Sequence, residues 1–375
     1  ENVIEGTLNA ATLYNGYDAK TTVQNGGNIA TTGMIVNRYH TAADAGIYVY
    51  GDGDASTVEV SCANTIGTYS GTFYAKDAVV NGNMLWIDYL KDSTQEADKY
   101  SQSKPVFENS TVNITKELRL YKDATLTLVN SDVTAGTVQI RENATPTVNV
   151  DANSTVKATS VQNLTGATLD AVLGENNIVS FKAIVAKVGS NKYYTLEDAF
   201  KAATSGCTID ILSDVTIDSK WDCRYTGSKF TVPVTINGNG KTIKFTASVN
   251  DNNWNTVFRF EENATVNNLT VDISNATGAQ RVISAKKSLN VDGLNIVGAA
   301  RYGVIYGEGA SATDLAATEI VVKNSTLGAT RRAVSDNEGG KDVKSVVIEP
   351  GVTSIGESAF YGASIKSVTI PNSVT

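Results

Sequence analysis

Apolar and polar residues alternate along much of the chain in short runs, which turn residues separate. The phrase Val266-Asn-Asn-Leu-Thr-Val271 returns 25 residues later as Val291-Asp-Gly-Leu-Asn-Ile296. Asn, Asp and Gly turn the backbone at little cost, whereas Val, Ile and Thr suit a pleated strand. The pattern therefore predicts strand–turn–strand units, each of which pairs with the next copy.

Related patterns occur before and after this phrase. Between about 106 and 180, a turn residue is followed by Ala or Ser and then by Thr, as in Asn109-Ser-Thr-Val112 and Asp123-Ala-Thr-Leu126. The anchor valines 266, 291 and 322 are 25 and 31 residues apart, which indicates a constant core repeat with loops of variable length. We expect an all-β fold of right-handed parallel β-helix modules, that is, a β-solenoid.

The first hundred residues are also predicted to be β structure. The expected strands are 47–50, 57–60 and 84–87, and the expected turns between strands are 25–28, 51–54 and 81–83.

One short helix is predicted over 195–204. Thr195 is a suitable N-cap with Asp198 three residues later, and Gly206 is a suitable terminator. The apolar stripe of the helix comprises Leu196, Ala199, Phe200 and Ala203. A lone amphipathic helix before a run of repeats would cap the open end of their core. We therefore predict an N-terminal β-solenoid module over 1–182 and a second β-helix module over 183–340.

A different repeat begins near residue 341. Ser345-Val-Val-Ile-Glu-Pro-Gly-Val-Thr353 matches Ser367-Val-Thr-Ile-Pro-Asn-Ser-Val-Thr375 at an offset of 22. With Ala359-Phe360, these residues resemble the BspA-like leucine-rich repeat of bacterial surface proteins, although Ala363 stands where such families often carry Cys. Segment 341–375 is expected to be the start of a longer array or a stub that docks on the solenoid end.

The second module carries a looser resemblance. Tyr193-Tyr-Thr-Leu-Glu-Asp-Ala199, Gly206-Cys-Thr-Ile-Asp-Ile-Leu212 and Asp214-Val-Thr-Ile217 resemble the start of pectate-lyase-like β-helix modules in gut bacterial surface proteins. The two resemblances imply a secreted bacterial protein at the cell surface, an adhesin that binds an extracellular protein or a carbohydrate. They do not carry catalytic residues with them.

Charge and hydropathy exclude other partners. The net charge is −8, and the clearest Lys/Arg cluster is Arg331-Arg332, so we expect no binding to nucleic acid or to anionic membranes. No apolar run approaches the roughly 20 residues of a membrane-spanning helix, and we expect no membrane insertion. No signal peptide is visible, and Glu1 could be a mature start.

Metal and cofactor chemistry is weakly indicated. Cys62, Cys207 and Cys223 form no CxxC pair, so we expect no zinc; Cys207 and Cys223 could face each other, but three buried free thiols are favoured. His40 has no nearby second ligand and is expected to be a loop or strand residue. The stretch 52–56 has the opening spacing of a calcium loop without its acidic twelfth residue, so a hairpin turn is favoured and calcium remains an alternative. The N-x-S/T sequons are explained by turn asparagines that precede strand threonines.

Catalysis and binding make different demands. Hydrolysis or lyase cleavage of a polysaccharide needs converging carboxylates or a base. Of the candidates, Asp272 and Asp292 do not align in the 25-residue register, and Arg281 and Arg301 are expected in separate loops. We assign no catalytic residue and keep a polysaccharide lyase or glycoside hydrolase as the alternative, with a structural stalk as a third. Two interpretations stay open for the tryptophans in polar loops: each Trp folds back over the solenoid wall, or the two flank a ligand groove with neighbours that supply hydrogen bonds. The residues of the predicted groove are Trp221, Asp222, Arg224, Tyr225, Asp251, Asn253 and Trp254.

Overall fold

The computed structural model describes residues 1–42, 44–53, 58–89, 99–249, 256–279, 281–300, 303–307, 319–327, 334–336, 345–350, 352, 355, 360 and 367–374. The chain forms two compact units, Glu1–Ala183 and Ile184–Thr375. The predicted boundary lay one residue earlier. The described part is all-β apart from one short α-helix and short 3₁₀ segments, and most of its strand pairs are parallel.

The first unit contains two parallel sheets. One sheet comprises β1 Asn2–Ile4, β4 Lys20–Val23, β7 Gly46–Tyr50, β9 Thr72–Lys76, β11 Lys104–Glu108, β13 Thr125–Val129 and β15 Thr147–Val150. The other comprises β2 Thr7–Ala10, β3 Leu13–Gly16, β5 Asn28–Thr31, β6 Ile35–Arg38, β8 Glu59–Thr68, β10 Val79–Ile87, β12 Thr111–Leu120, β14 Asp132–Ile140 and β16 Thr155–Asn163. An antiparallel hairpin follows, formed by β17 Leu169–Leu173 and β18 Val179–Ala183 around the 3₁₀ turn Glu175–Asn177.

The second unit also contains two sheets. Its long sheet comprises β19 Ala186–Val188, β20 Asn191–Tyr193, β21 Cys207–Ile211, β22 Val215–Ile217, β24 Val234–Asn237, β25 Thr242–Phe245, β27 Ala264–Asp272, β29 Leu289–Val297, β31 Glu319–Lys323, β33 Ser345–Ile348 and β34 Val368–Thr369. Its short sheet comprises β23 Lys229–Phe230, β26 Thr256–Phe260, β28 Arg281–Ala285, β30 Gly303–Gly307 and β32 Val334–Asp336. The strands of both sheets pair in parallel, except that β19 pairs antiparallel with β20 and β21. The helix α1 is Leu196–Lys201.

The repeats pair in the register that the sequence predicted. Val266 lies opposite Val291, and Val291 lies opposite Val322, so the offsets of 25 and 31 are confirmed. The offset of 22 is also confirmed in the tail, where Val346 lies opposite Val368. We call the chain from one strand to its parallel partner a rung. Inward-facing residues of successive rungs stack on each other and form one buried apolar core in each unit.

The Ala/Ser-Thr module lies at the turns between consecutive strands in the first unit. We call these turns the corners of the rungs. Ser110, Ser131 and Ser154 are buried at one corner, and their hydroxyls link successive rungs. The backbone N–H of Ser110 donates to Ser131 Oγ at 2.9 Å, and the N–H of Ser131 donates to Ser154 Oγ at 2.9 Å. Each serine therefore satisfies a buried backbone donor that the sheet cannot pair. Alanines 124, 144 and 167 are buried at the other corner of the same rungs.

The turn asparagines behave as predicted at four sequons. Asn109, Asn143, Asn268 and Asn324 have positive φ values between 45° and 53°. Asn tolerates this conformation better than most side chains do, so backbone geometry explains these residues.

Residues 81–83 do not form the predicted turn between strands. They lie inside β10, where the pairing register shifts between Gly82 and Met84. Such a bulge bends a strand without ending it. The apolar alternation resumes at Leu85 and Ile87, which are buried, so the strand continues on the other side of the bend.

The helix is confirmed in a shorter form. Thr195 Oγ1 accepts the backbone N–H of Asp198 at 3.1 Å, as predicted for the N-cap, but the helix ends at Lys201. Leu196, Ala199 and Phe200 are buried. The Phe200 ring packs edge-on against aromatic residues of the unit's own core, which are Trp221, Phe230 and Phe258.

The described part of 341–375 extends the long sheet of the second unit. Strand β33 pairs in parallel with β31, and Val346 and Ile348 belong to the buried core of this unit. This pairing matches the expected alternative of a segment that docks on the last rung. Its interpretation as a leucine-rich repeat stays a prediction.

We expect Ser131→Ala to lower the free energy of unfolding by about 1–3 kcal/mol, because it leaves the buried N–H of Ser110 without its acceptor. Urea denaturation of the purified protein measures the change. Ser160→Ala is the matched control, since Ser160 is exposed on β16 and its hydroxyl is not needed by a buried backbone group. Equal stabilities of the two variants would contradict the role of the serine corner.

Candidate binding site

The predicted groove tryptophan is not available to a ligand. Trp221 is 1% exposed, and its indole Nε1 donates to the backbone carbonyl of Val257 at 3.0 Å. Its ring packs edge-on against Phe200 and Phe245, with centroids 6.3 and 5.4 Å away. The expectation of an exposed stacking ring is wrong, because the indole N–H finds a backbone acceptor inside the core.

Residues near Trp221 form a small polar surface. Asp222 is buried, and its carboxylate accepts Arg224 Nε at 3.0 Å and a guanidinium N–H at 2.8 Å. These bonds from Arg224 hold the pKa of Asp222 below its usual range. Tyr225 is 70% exposed beside the Arg224 guanidinium. Ligand binding by these three residues stays a prediction, and Asp251, Asn253 and Trp254 lie outside the described residues.

Asp272 and Asp292 are out of register with each other, as predicted, whereas Arg281 lies in strand β28 and not in the predicted loop. Asp292 lies opposite Asn267, five residues before Asp272 on the neighbouring strand β27. The positive φ values of Asn268 and Gly293 bend both strands after this position, so the two aspartates lie on different sides of the bend. Asp272 accepts the backbone N–H and hydroxyl of Ser274 at 2.9 and 2.6 Å, as a turn-forming aspartate does. Arg301 lies outside the described residues.

The three cysteines and the proposed calcium turn are the residues that the sequence suggests for a disulfide bond or a metal site. None of the three cysteines forms a disulfide bond; Cys62 and Cys223 are buried, whereas Cys207 is only half-buried. Within the described ranges, no group of three or more His, Cys, Asp or Glu side chains could hold a metal ion. Most of the proposed calcium turn, 54–56, lies outside those ranges.

A different surface of the first unit gathers aromatic and arginine side chains. We call it the aromatic–arginine stripe, and it lies on the outer side of the second half of the rungs. Its members are Tyr14, Tyr17, Arg38, Tyr39, Tyr69, Trp86, Tyr89, Tyr100, Arg119, Tyr121 and Arg141.

Register explains why these side chains meet. Tyr14 lies opposite Val36, and Trp86 lies opposite Gly67 on one side and Arg119 on the other. Gly67 has no side chain, and the ring of Tyr69 fills the space above it. Burial raises the pKa of the Tyr69 hydroxyl to about 12, so Tyr69 supports the stripe as a neutral ring.

The end of the stripe that contains Tyr14 and Tyr17 is the most exposed to solvent. Tyr17 is 74% exposed and Tyr14 is 43% exposed. Tyr17 stacks on Tyr39 with centroids 5.4 Å apart, and Tyr39 contacts Tyr100 at 5.1 Å. The Arg38 guanidinium lies 4.5 Å from the Tyr39 ring centroid and 4.9 Å from that of Tyr14, and Arg38 Nε donates to the Tyr14 hydroxyl at 3.0 Å.

Two tyrosines at the same end have a strained backbone conformation. Tyr17 and Tyr39 have φ values of 55° and 63°, in the left-handed region that bulky residues rarely adopt. Each such residue costs of order 1–3 kcal/mol unless the surroundings hold it. Asp18 holds this turn, because its carboxylate accepts the backbone N–H groups of Thr41 and Ala42 at 2.5 and 2.9 Å. Strain that fixes exposed rings side by side is a typical property of a recognition surface.

Further along the stripe, arginines cover aromatic rings. Arg119 lies 5.1 Å from the Trp86 ring centroid, and Arg141 lies 5.2 Å from that of Tyr121. Arg119 also forms an ion pair with Glu117. These planar groups are the residue types that dominate the energetics of protein binding surfaces.

Sequence reasoning missed this surface, although a signal was present. Tyr14-x-x-Tyr17 and Trp86-x-x-Tyr89 place aromatic residues three apart at the ends of rungs, and Val36-x-x-Tyr39 is the related pattern between them. A repeated aromatic-x-x-aromatic spacing in register would have predicted the stripe.

His40 lies beside the stripe in a buried polar cluster. Its Nε2 is 2.8 Å from Asn37 Oδ1, and Asn37 also accepts Asn15 Nδ2 at 2.8 Å. Burial lowers the pKa of His40 despite the opposing charge of Asp18, so the ring is neutral in the folded unit. His40 is a loop residue in a structural role, consistent with the prediction.

Comparisons with known proteins give no relatives. No protein-family model matches the chain, and neither a curated protein nor a solved structure matches it. In the part of the chain that the structure describes, no helix has the length and apolar character needed to span a membrane.

We expect the protein to lose stability as the pH falls from 7.5 towards 5.5. The folded pKa of His40 lies below its ordinary value of 6.5, so the unfolded chain binds more protons in this window. The loss is at most about 1.4 kcal/mol per pH unit. Thermal unfolding at several pH values measures it.

The control uses the fact that His40 is the single histidine of the chain. His40→Gln is expected to be less stable than the wild type at pH 7.5 but to show a flat profile down to pH 5.5. A slope that persists in His40→Gln would contradict the assignment.

Proposed function

We propose that the protein is a non-catalytic, extracellular binding protein of a bacterial cell surface, which adheres to a glycan or matrix protein. Its units are right-handed parallel β-helices, and its C-terminal segment is the start of a BspA-like leucine-rich array. The aromatic–arginine stripe is the observation that carries the binding proposal, and the sequence resemblances carry the cellular location.

Three properties of the stripe support this function. Its exposed rings are rigid because they are stacked on each other and anchored by the register of the rungs. Rigid aromatic side chains lose little conformational entropy when they bind a partner. The arginines add donors for carboxylate, carbonyl or hydroxyl groups of that partner.

The out-of-register positions of Asp272 and Asp292 argue against the alternative of a lyase or hydrolase at the second unit's repeat. Each carboxylate accepts hydrogen bonds from its own neighbours, Ser274 for Asp272 and Asn324 for Asp292. No specific contact in the described residues favours that alternative over adhesion.

We expect a glycan and matrix-protein array to identify a ligand whose binding Tyr17→Asn and Arg38→Gln each weaken about ten-fold, as loss of a hot-spot residue does. Asn is chosen because it tolerates the positive φ of residue 17. Tyr225→Asn is the matched control, since Tyr225 is equally exposed beside an arginine in the other unit.

A ligand that loses affinity only in Tyr225→Asn would overturn the assignment of binding to the stripe. An array without any bound ligand would overturn the adhesion proposal in favour of a structural stalk.

A further inference from the structure

A second surface feature of the first unit lies where its bent sheet is concave. An open cleft of about 1070 Å³ runs across five successive rungs, from β2 and β5 to β8, β10 and β12. The bend arises where the register shifts, between Gly82 and Met84 in β10 and between Ile114 and Glu117 in β12. Residues 81–83 therefore form part of a cleft wall.

The wall of the cleft is uncharged. All described residues that line it are Ala, Gly, Ser, Thr, Cys or Asn. The amide of Asn113 donates to Asn81 Oδ1 at 2.9 Å, and Asn81 Nδ2 donates to Glu59 Oε1 at 2.7 Å. Two residues further along the same strands, Thr115 Oγ1 donates to Asn83 Oδ1 at 2.9 Å.

These bonds orient the amides but leave some of their hydrogen-bond donors and acceptors available to a ligand. An Asn side chain has two N–H donors and an oxygen that can accept two hydrogen bonds. The bonds between rungs use one N–H and one oxygen lone pair of Asn81, so one donor and one acceptor site remain. Asn113 and Asn83 also retain both capacities.

We propose that this cleft binds a neutral polysaccharide chain that lies along the stack of rungs. The inference rests on the proposed binding function and names the chemical class of one of its ligands. Sugar hydroxyls both donate and accept hydrogen bonds, which matches oriented amides better than carboxylates or ammonium groups do. A chain in the cleft meets small polar or apolar side chains from each rung, about every 4.8 Å, and the amides of Asn81, Asn83 and Asn113 on the last two rungs.

The cleft does not suit the two main competitors. An extended peptide binds by adding a strand to a free sheet edge, but β8, β10 and β12 are each already paired on both sides. An acidic polysaccharide needs Arg or Lys for its carboxylates, and no described lining residue is charged.

The stripe is close enough to take part in binding. Trp86 follows Asn83 by three residues on β10, a separation of about 10 Å along the strand. A chain that leaves the cleft at this edge would therefore meet the pair of Trp86 and Arg119.

The test is titration calorimetry with four neutral probes: cellohexaose, mannohexaose, xylohexaose and maltohexaose. Hexagalacturonate is the acidic probe of equal length. We expect at least one neutral probe to bind and hexagalacturonate not to bind. Binding of none of the four, or tighter binding of hexagalacturonate, would overturn the proposal.

Two variants locate the binding. Ala63→Trp fills the cleft from an exposed lining residue, and Asn83→Leu with Asn113→Leu removes two of the amides while keeping the number of side-chain heavy atoms. Each variant is expected to bind the neutral probe at least ten-fold more weakly than the wild type does. Circular dichroism checks that the variants fold. Ala152→Trp is the matched control, because Ala152 is exposed at a turn outside the cleft. This substitution is expected to leave probe binding unchanged.

The outcome separates this inference from the proposed function. Probe binding that is unchanged in both cleft variants overturns the cleft. If array binding remains sensitive to Tyr17→Asn in that case, adhesion through the stripe still stands. Probe binding that is lost in the cleft variants, with no effect of Tyr17→Asn on the array, supports the cleft and overturns the stripe.

Discussion

In-register stacking of parallel rungs is the constraint on which the rest of this structure depends. Each inward-facing residue lies against its counterpart one rung away, as Val266 does against Val291. A polar substitution in such a column would leave an unpaired group in a dry core. The same constraint acts at the corners, where each rung must supply a partner for a backbone N–H of its neighbour. Ser131 meets that need with a hydroxyl. Register therefore fixes the core and the corners together.

The outer columns obey the same register without the demand for apolar side chains. Any residue type that recurs there becomes a continuous surface, because its neighbours are about 4.8 Å away. Aromatic residues show how the direction in which a side chain points, towards the core or towards solvent, decides what it contributes. In the second unit Phe200, Trp221 and Phe258 face inward and join a core. In the first unit Tyr14 and Tyr17 face outward and remain exposed. The amides of the cleft are a third case, in which a bulge turns an outer column into a concave wall.

Local patterns predicted what depends on local chemistry. The repeat offsets, the N-cap at Thr195 and the turn asparagines follow from periodicity and backbone preference, and the structure agrees. Residues 81–83 carry the composition of a turn, but their neighbours on both sides pair with the same two strands, so the strand bends and continues. The burial of Trp221 depends on the carbonyl of Val257, which is 36 residues away. The stripe depends on contacts between rungs, which no single segment of sequence contains.

The central claim is that register places the outer side chains of the first unit, and engineered disulfides test it directly. Thr134 and Lys157 are exposed Cα partners on β14 and β16, within the spacing a disulfide requires. The double variant Thr134→Cys/Lys157→Cys is predicted to form an intramolecular disulfide under mild oxidation, detected by intact mass. The pair Thr134→Cys/Thr159→Cys, shifted along the strand by two residues, is predicted to remain reduced. Cross-linking of the shifted pair in preference to the matched pair would contradict the register and the surfaces derived from it.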